Sequence, residues 1–269
     1  MTEIKIGLTE IKIGLIGGSG LSEGKVKKEA ISVETPYGQP SAGYEVEEYN
    51  SLKVLFLKRH GPEHSIPPHK VNYRANIYGF KHLGVERVFG VFAVGSLNTK
   101  ISPGSIVIPD QIIDFTQGVR ESSFYEGPKV VHIDFTEPFC SEMRRALIKT
   151  AKNLNIAIVP TATYICVNGP RLETAAEIRF FRKTGADIVG MTLMPEASLA
   201  RELELCYAAV AVVGNYAAGV SKKPLTVREV IESMNKSRES LKKLLKETFK
   251  ILPKERNCYC KDALKNASF

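Results

Sequence analysis

Long apolar runs are missing from this 269-residue chain. None approaches the roughly 18 consecutive apolar residues of a membrane-spanning helix, so no membrane partner is expected. A secretory leader is not expected either, because Glu3, Lys5, Glu10 and Lys12 interrupt any apolar h-region. The cytoplasm is the expected location. Cysteine is scarce: Cys140, Cys166, Cys206, Cys258 and Cys260. No paired CxxC spacing of the zinc-binding kind occurs among them, so no metal is expected. Cys258-Tyr-Cys260 reads equally as a redox or disulfide element and as two plain tail thiols. There is also no basic–aromatic array. The net charge is +8 and the pI about 9.1, yet Lys and Arg are spread out and interleaved with Glu, as in "NKSRESLKKLLKETFK". Nucleic acid is therefore not the expected partner, whereas a mild positive field favours phosphate and other anions.

What is present is an ordinary globular composition, 43% hydrophobic and 25% charged. The heptapeptide "TEIKIGL" occurs twice in tandem, at 2–8 and 9–15. Only the second copy runs into "IGGSGL", so it is the expected core strand, and residues 1–10 read as an extension. Apolar, β-rich runs recur at 11–17, 54–57, 87–94, 105–109, 156–165, 187–191 and 207–213. Several are nearly continuous, as in strands buried on both faces. Helical patterns fall at 69–83, 137–154, 172–184, 195–203 and 226–251, the last opened by a Thr226–Glu229 capping box. This alternation predicts one α/β domain over 11–252, with a largely parallel or mixed central sheet flanked by helices. Residues 253–269 form a tail carrying the Cys-x-Cys pair.

Four segments could carry chemistry. "IGLIGGSGL" is a strand followed by a glycine-rich turn with Ser19, able to approach an anion. It is neither G-x-G-x-x-G nor a Walker A, and taken alone it reads first as a tight strand-to-loop turn. Arg59-His60-Gly61 closes an apolar strand and offers two donors to a phosphate oxyanion. His64 and His69 follow, but no carboxylate or thiol at ligand spacing supports a three-histidine metal site. Thr192 precedes the helical pattern at 195, where a hydroxyl suits either phosphate binding or capping. Glu173, in "GPRLETAAE", and Asn215, in "VVGNYAAG", each follow an apolar run. Ligands gather at the carboxyl ends of strands in open α/β sheets. A carboxylate and an amide there complement a 6-oxopurine, whose N1–H needs an acceptor and whose O6 and N7 need a donor. Separately, Glu173 also reads as a helix N-terminal carboxylate and Asn215 as a turn residue.

Together with "TPYGQPS", "RHGPEH", "KVNYRANI", "GSL", "PGSIVIPDQIID", "EPFC", "GMTLMPEASLARE" and "CYAAVAVV", in that order, these segments resemble the trimeric purine nucleoside phosphorylase superfamily. The methylthioadenosine phosphorylase branch is the nearest pattern, and the resemblance covers 11–251. It implies a phosphate site from Ser19, Arg59, His60 and Thr192, with backbone groups at Phe92-Ala93. The family commonly has Ser or Thr where Phe92 stands, so one hydroxyl is lost. It implies that Met191 lies against the sugar and that Leu172 replaces a common Phe at the base. His132 would reach the 5′ end of the nucleoside in a neighbouring subunit. Val227 and Val230 would line an apolar 5′ pocket. A trimer or a dimer of trimers is implied. The adenine-reading "DYD" of that branch is here Asn215-Tyr216-Ala217, and Glu173 stands where the branch has a small residue.

The expected reaction is phosphorolysis of a 6-oxopurine nucleoside (inosine, guanosine or methylthioinosine) to free base and a ribose 1-phosphate derivative. Asn215 would stabilise charge at O6/N7, His60 and its neighbours would position phosphate, and no cofactor is called for beyond phosphate as co-substrate. An adenine-directed methylthioadenosine phosphorylase is the first alternative. A water-using hydrolase and a non-catalytic nucleotide-binding protein are the others.

Overall fold

The computed structural model describes residues 11–18, 30–49, 52–116, 118–221 and 227–268, with the side chains of 227–230 excepted. Among these, ten strands make one mixed sheet: β1 (Ile13–Gly17), β2 (Glu45–Tyr49), β3 (Leu52–Lys58), β4 (Arg87–Ser96), β5 (Ile106–Val107), β6 (Gln111–Phe115), β7 (Ile158–Val159), β8 (Thr163–Val167), β9 (Ile188–Gly190) and β10 (Cys206–Tyr216). The helices are α1 (Tyr73–His82), α2 (Ser141–Asn153), α3 (Ala175–Lys183), α4 (Glu196–Glu202) and α5 (Val227–Ile251).

Strands run β2-β3-β1-β4-β10-β5-β7 across the sheet. The middle four, β3, β1, β4 and β10, are mutually parallel, while β2 and β5 join antiparallel. At its C-terminal end β4 also pairs antiparallel with β9, and β8 and β6 continue from there. The end of β4 is thus flanked by β10 on one edge and β9 on the other, and both deliver residues to that point.

The apolar runs are continuous because both faces are covered. Side chains alternate across a strand, so Leu55, Leu57, Val88, Ala209 and Ala211 join Tyr73, Ile77, Phe80 of α1 and Ala197, Leu199, Ala200 of α4. Val54, Phe56, Phe89, Val91, Ala208 and Val210 join Met143, Leu147 of α2 and Leu241, Leu244, Leu245 of α5 on the other face. Each Val, Leu, Ile, Met or Phe among them contributes about 1.5–3 kcal/mol when fully buried. A third cluster seats Ile178 and Phe181 of α3 on Ile165 and Val189.

Several expectations needed adjustment. The run at 156–165 is two strands, β7 and β8, separated at Pro160, which cannot donate to a ladder. The helix expected from 69 begins as a short 3₁₀ turn, Pro68–Lys70, and α1 proper starts at Tyr73, where the Asn72 side chain accepts from the Ala75 N–H at 3.1 Å. The helix expected from 137 starts at Ser141. The first heptapeptide copy, Ser19 and the Thr226–Glu229 capping box lie outside what is described, whereas the second heptapeptide copy supplies β1.

The tail is docked. Arg87 donates through Nη2 to the carbonyls of Pro253 and Glu255 at 2.8 and 3.1 Å, and Arg256 donates to the Glu204 carbonyl at 2.6 Å. Cys258 and Cys260 are buried in the core beside α2.

Candidate active site

A cavity of about 370 Å³ opens at the carboxyl ends of β1, β3, β4 and β10. Its walls include Arg59, His60, Phe92, Ala93, Leu172, Glu173, Met191, Thr192, Asn215 and Ala217. Residues from five separate segments of the chain therefore meet at one place. Ala93 marks the floor: it is exposed in the middle of the otherwise buried β4, because no side chain packs over it there.

Local geometry explains how Glu173 and Asn215 arrive there. The β4–β10 register shifts between Val213 and Asn215, so Asn215 lies opposite Gly95. A bulge of this kind re-aims the following side chains, and Asn215 and Ala217 both line the cavity. One Asn215 amide hydrogen is held by the Tyr216 carbonyl at 2.7 Å, which leaves the second hydrogen free to act. Glu173 sits just before Thr174, the N-cap of α3. There the Thr174 hydroxyl and the Glu177 carboxylate form a reciprocal capping box. That rigid cap fixes the loop carrying Glu173. Burial raises the Glu173 pKa above the ordinary carboxylate value, with Glu177 adding to the rise and its own backbone N–H and Arg171 opposing it.

At the other end, Arg59 is not the free donor expected from its place beside a glycine. It is 2% exposed. Its Nε and Nη2 donate to the two oxygens of Glu196 at 2.7 and 2.8 Å, a bidentate pair. Nη1 donates to the Val91 carbonyl at 2.9 Å and Nη2 also to Ile16 at 3.3 Å, while the guanidinium lies 4.4 Å from the Phe92 ring centroid. Tyr207 donates its hydroxyl to the same Glu196 carboxylate at 2.5 Å. Burial alone would lower the Arg59 pKa, but the charge and hydrogen bonds of Glu196 outweigh it and raise it. One Nη1 hydrogen is left for a ligand.

His60 also differs from a plain donor. Its Nδ1 lies 2.8 Å from the Ile66 carbonyl, an acceptor only, so Nδ1 carries the hydrogen and donates. Burial pushes the imidazole down to about 4, with the Ile66 bond opposing and Arg59 and His64 assisting. At neutral pH the ring is uncharged, and Nε2 is an acceptor. It suits the hydroxyl of a monoprotonated phosphate rather than an oxyanion. The His64 ring stacks on it at 4.4 Å.

Thr192 is buried at the cavity wall, one residue from Met191. Leu172 sits at the mouth, 56% exposed. Tyr216 does not face the cavity. It alternates to the other side of β10, and its hydroxyl donates to the Thr99 carbonyl at 3.3 Å. His132 is exposed and does not line the cavity of its own chain, and its backbone N–H bonds Ala267 at 2.7 Å. Ser19 and the side chains of Val227 and Val230 lie outside what is described.

Sequence reading missed four cavity residues on α5: Met234, Asn235, Arg238 and Leu241. Spacings of three and four place Met234, Arg238 and Leu241 on one helical stripe, which was the available signal. The Nε of Arg238 is buried without a hydrogen-bond partner.

The sequence pattern of the Phosphorylase superfamily matches residues 12–250. A probable S-methyl-5′-thioinosine phosphorylase of Thermodesulfovibrio yellowstonii is 69% identical, over 97% of this chain and 98% of that protein. A 6-oxopurine nucleoside phosphorylase of Pyrococcus furiosus is 52% identical, over 96% and 99%. Among solved structures, a methylthioadenosine phosphorylase from an antarctic soil metagenomic library superposes with a TM-score of 0.88 at 37% identity, covering 97% of this chain and 93% of that one. On this agreement of pattern, relatives and fold, the chain belongs to the phosphorylase superfamily.

Proposed function

We propose that the chain catalyses phosphorolysis of 6-oxopurine nucleosides, with inosine, guanosine and methylthioinosine as the substrate class. The carrying observation is that Glu173 and Asn215 line the same cavity as Arg59, His60 and Thr192. Phosphate would attack the anomeric carbon as the C–N bond to the purine breaks. Negative charge then builds on the leaving base. Glu173 accepts N1–H, and the free Asn215 amide hydrogen meets O6 or N7. Adenine would present its N1 lone pair to the Glu173 carboxylate and its amino group to the amide hydrogens, an unpaired arrangement costing about 1–3 kcal/mol per group. Catalysis is positional and electrostatic.

Phosphate binding rests on more than the Arg-His pair. Glu196 neutralises most of Arg59, and Phe92 brings no hydroxyl. Arg238 carries a charge with no ion-pair partner among the described residues, and lines the same cavity. It supplies the cation that Arg59 shares away. Arg238→Met should raise the phosphate KM by about 10-fold or more, a loss of about 1.4 kcal/mol, with nucleoside KM changed far less. An unchanged phosphate KM would remove Arg238 from the site. His132, outside its own cavity, would serve a neighbour's in a homo-oligomer built on a trimer. The deciding experiment is base release from inosine, guanosine, methylthioinosine and methylthioadenosine, with and without phosphate. Release without phosphate would indicate a hydrolase, and none at all a binding protein. A preference for methylthioadenosine would overturn the base reading alone.

A further inference from the structure

Far from the cavity, on the face covered by α2 and α5, four cysteines converge: Cys140 at the N-cap of α2, Cys206 at the start of β10, and Cys258 and Cys260 of the docked tail. All four are buried and unbridged, and their sulfurs lie within 4.8 Å of one another. Cys206 Sγ and Cys258 Sγ are 3.2 Å apart. Cys166, the remaining cysteine, stands elsewhere, beside Met194.

We infer that these four thiols form a tetrathiolate site for a thiophilic divalent cation of the zinc class, which clamps the C-terminal tail to the core. Four mutually close sulfurs are what a tetrahedral ion needs. With metal–sulfur bonds of about 2.3 Å, the sulfurs sit about 3.8 Å apart, between the 3.2 Å of Cys206–Cys258 and the 4.8 Å that bounds the group. A disulfide would join two sulfurs and leave each pair indifferent to the other; a metal uses all four contacts at once. Binding replaces four S–H bonds by four metal–sulfur bonds and releases the protons to solvent.

The surroundings fit a doubly negative centre. Arg87 is the register partner of Cys206 on β4, is almost fully buried, and keeps an Nε without a hydrogen-bond partner. Arg201 is buried and lines a cleft of about 310 Å³ together with Cys140, Cys258 and Cys260. That cleft gives an ion a route to the thiols. The spacing rule that argued against metal considers ligands paired along the chain. Here Cys140 and Cys206 are brought together only by folding, and Cys258-x-Cys260 arrives on the tail.

The full chain, purified under reducing conditions without chelator, is tested for metal by elemental analysis, then reconstituted with zinc or cobalt(II) after removal of any ion. One equivalent of zinc per chain is expected. Cobalt should give the intense visible bands and thiolate charge-transfer absorption of a tetrahedral sulfur site. Four cysteines should resist a thiol reagent until the protein is denatured with chelator. Cys260→Ser should weaken zinc binding at least 10-fold and change the cobalt spectrum, with phosphorolysis assayed in parallel as a fold check. If that variant does not fold, the measurements on the unaltered chain decide. Absence of stoichiometric uptake overturns the site. So does a mass, taken without reductant, showing that the thiols have lost their hydrogens to disulfides. An unaltered cobalt spectrum in Cys260→Ser overturns the ligand set.

Discussion

A carboxylate that reads a purine must be ionised to accept N1–H, and Glu173 holds its proton more tightly than an ordinary Glu because burial disfavours its charge. The sign follows. Activity on inosine is full well above the Glu173 pKa and falls as pH drops through it, so the acid limb of kcat/KM lies above the usual carboxylate range. Glu173→Gln should abolish that limb. It should also lower kcat/KM for inosine by about 10- to 150-fold, the equivalent of 1–3 kcal/mol for one buried contact. A pH profile measured on both proteins checks it. An acid limb unchanged in Glu173→Gln would mean that another group reads the base. His60 illustrates the same scale differently. Its residue type suggested a donor to phosphate, but the Ile66 carbonyl claims the Nδ1 hydrogen and the low pKa removes the second. What remains is an acceptor, a role that no sequence pattern distinguishes from a donor.

Elements are joined by contacts that the sequence conceals. Arg59 ends the run of β3, while Glu196 opens α4, 137 residues later. Their bidentate pair, with Tyr207 of β10 attached, ties the end of an inner strand to a covering helix and holds Arg59 at the cavity. Removing one partner leaves the other charge buried and alone, which costs about 3–5 kcal/mol. Arg59→Ala should therefore lower both stability and phosphate affinity. Arg59→Met combined with Glu196→Gln keeps an acceptor for Tyr207 and buries no lone charge. It should recover most of the denaturation midpoint while phosphate KM stays raised about 10-fold or more. Recovery of phosphate affinity in the double variant would reduce Arg59 to a structural part. The central strands were legible beforehand because burial on both faces makes them continuous apolar runs. β2 was not: Glu45-Val46-Glu47-Glu48-Tyr49 is mostly charged, and its buried Glu47 accepts from the Tyr49 hydroxyl at 2.7 Å. β6 was hidden in the same way, since it is only partly covered. The cavity residues of β4, β10 and the α3 loop could be named from motifs. Those of α5 could not, because a cavity-facing stripe and a core-facing stripe have the same period.

At the scale of the whole molecule, a lone chain leaves apolar surface uncovered. Phe115 of β6 is 46% exposed and Phe180 of α3 is 52% exposed, with ring centroids 6.1 Å apart, and Phe181 packs beneath Phe115 at 5.2 Å. Leu172, at the cavity mouth, is 56% exposed nearby in sequence to α3. Contiguous aromatic exposure of this kind marks association surfaces, and its continuation to the cavity mouth suits an oligomer whose neighbours complete each other's sites. His132, exposed and remote from its own cavity, fits that arrangement. The chain should therefore sediment well above its 29.7 kDa mass at micromolar concentration. Phe115→Asp combined with Phe180→Asp adds two charges to that surface without opening the core, since both side chains are half exposed. This variant should shift the protein toward monomer with its circular dichroism retained. On the proposed trimer its nucleoside KM should rise more than its phosphate KM, because a neighbour's His132 would stand at the sugar end, while Arg59, His60 and Thr192 belong to the chain's own cavity. Equal loss at both ends would place the damage in the chain itself. An unaltered protein that is monomeric and fully active would show that each cavity is complete within one chain.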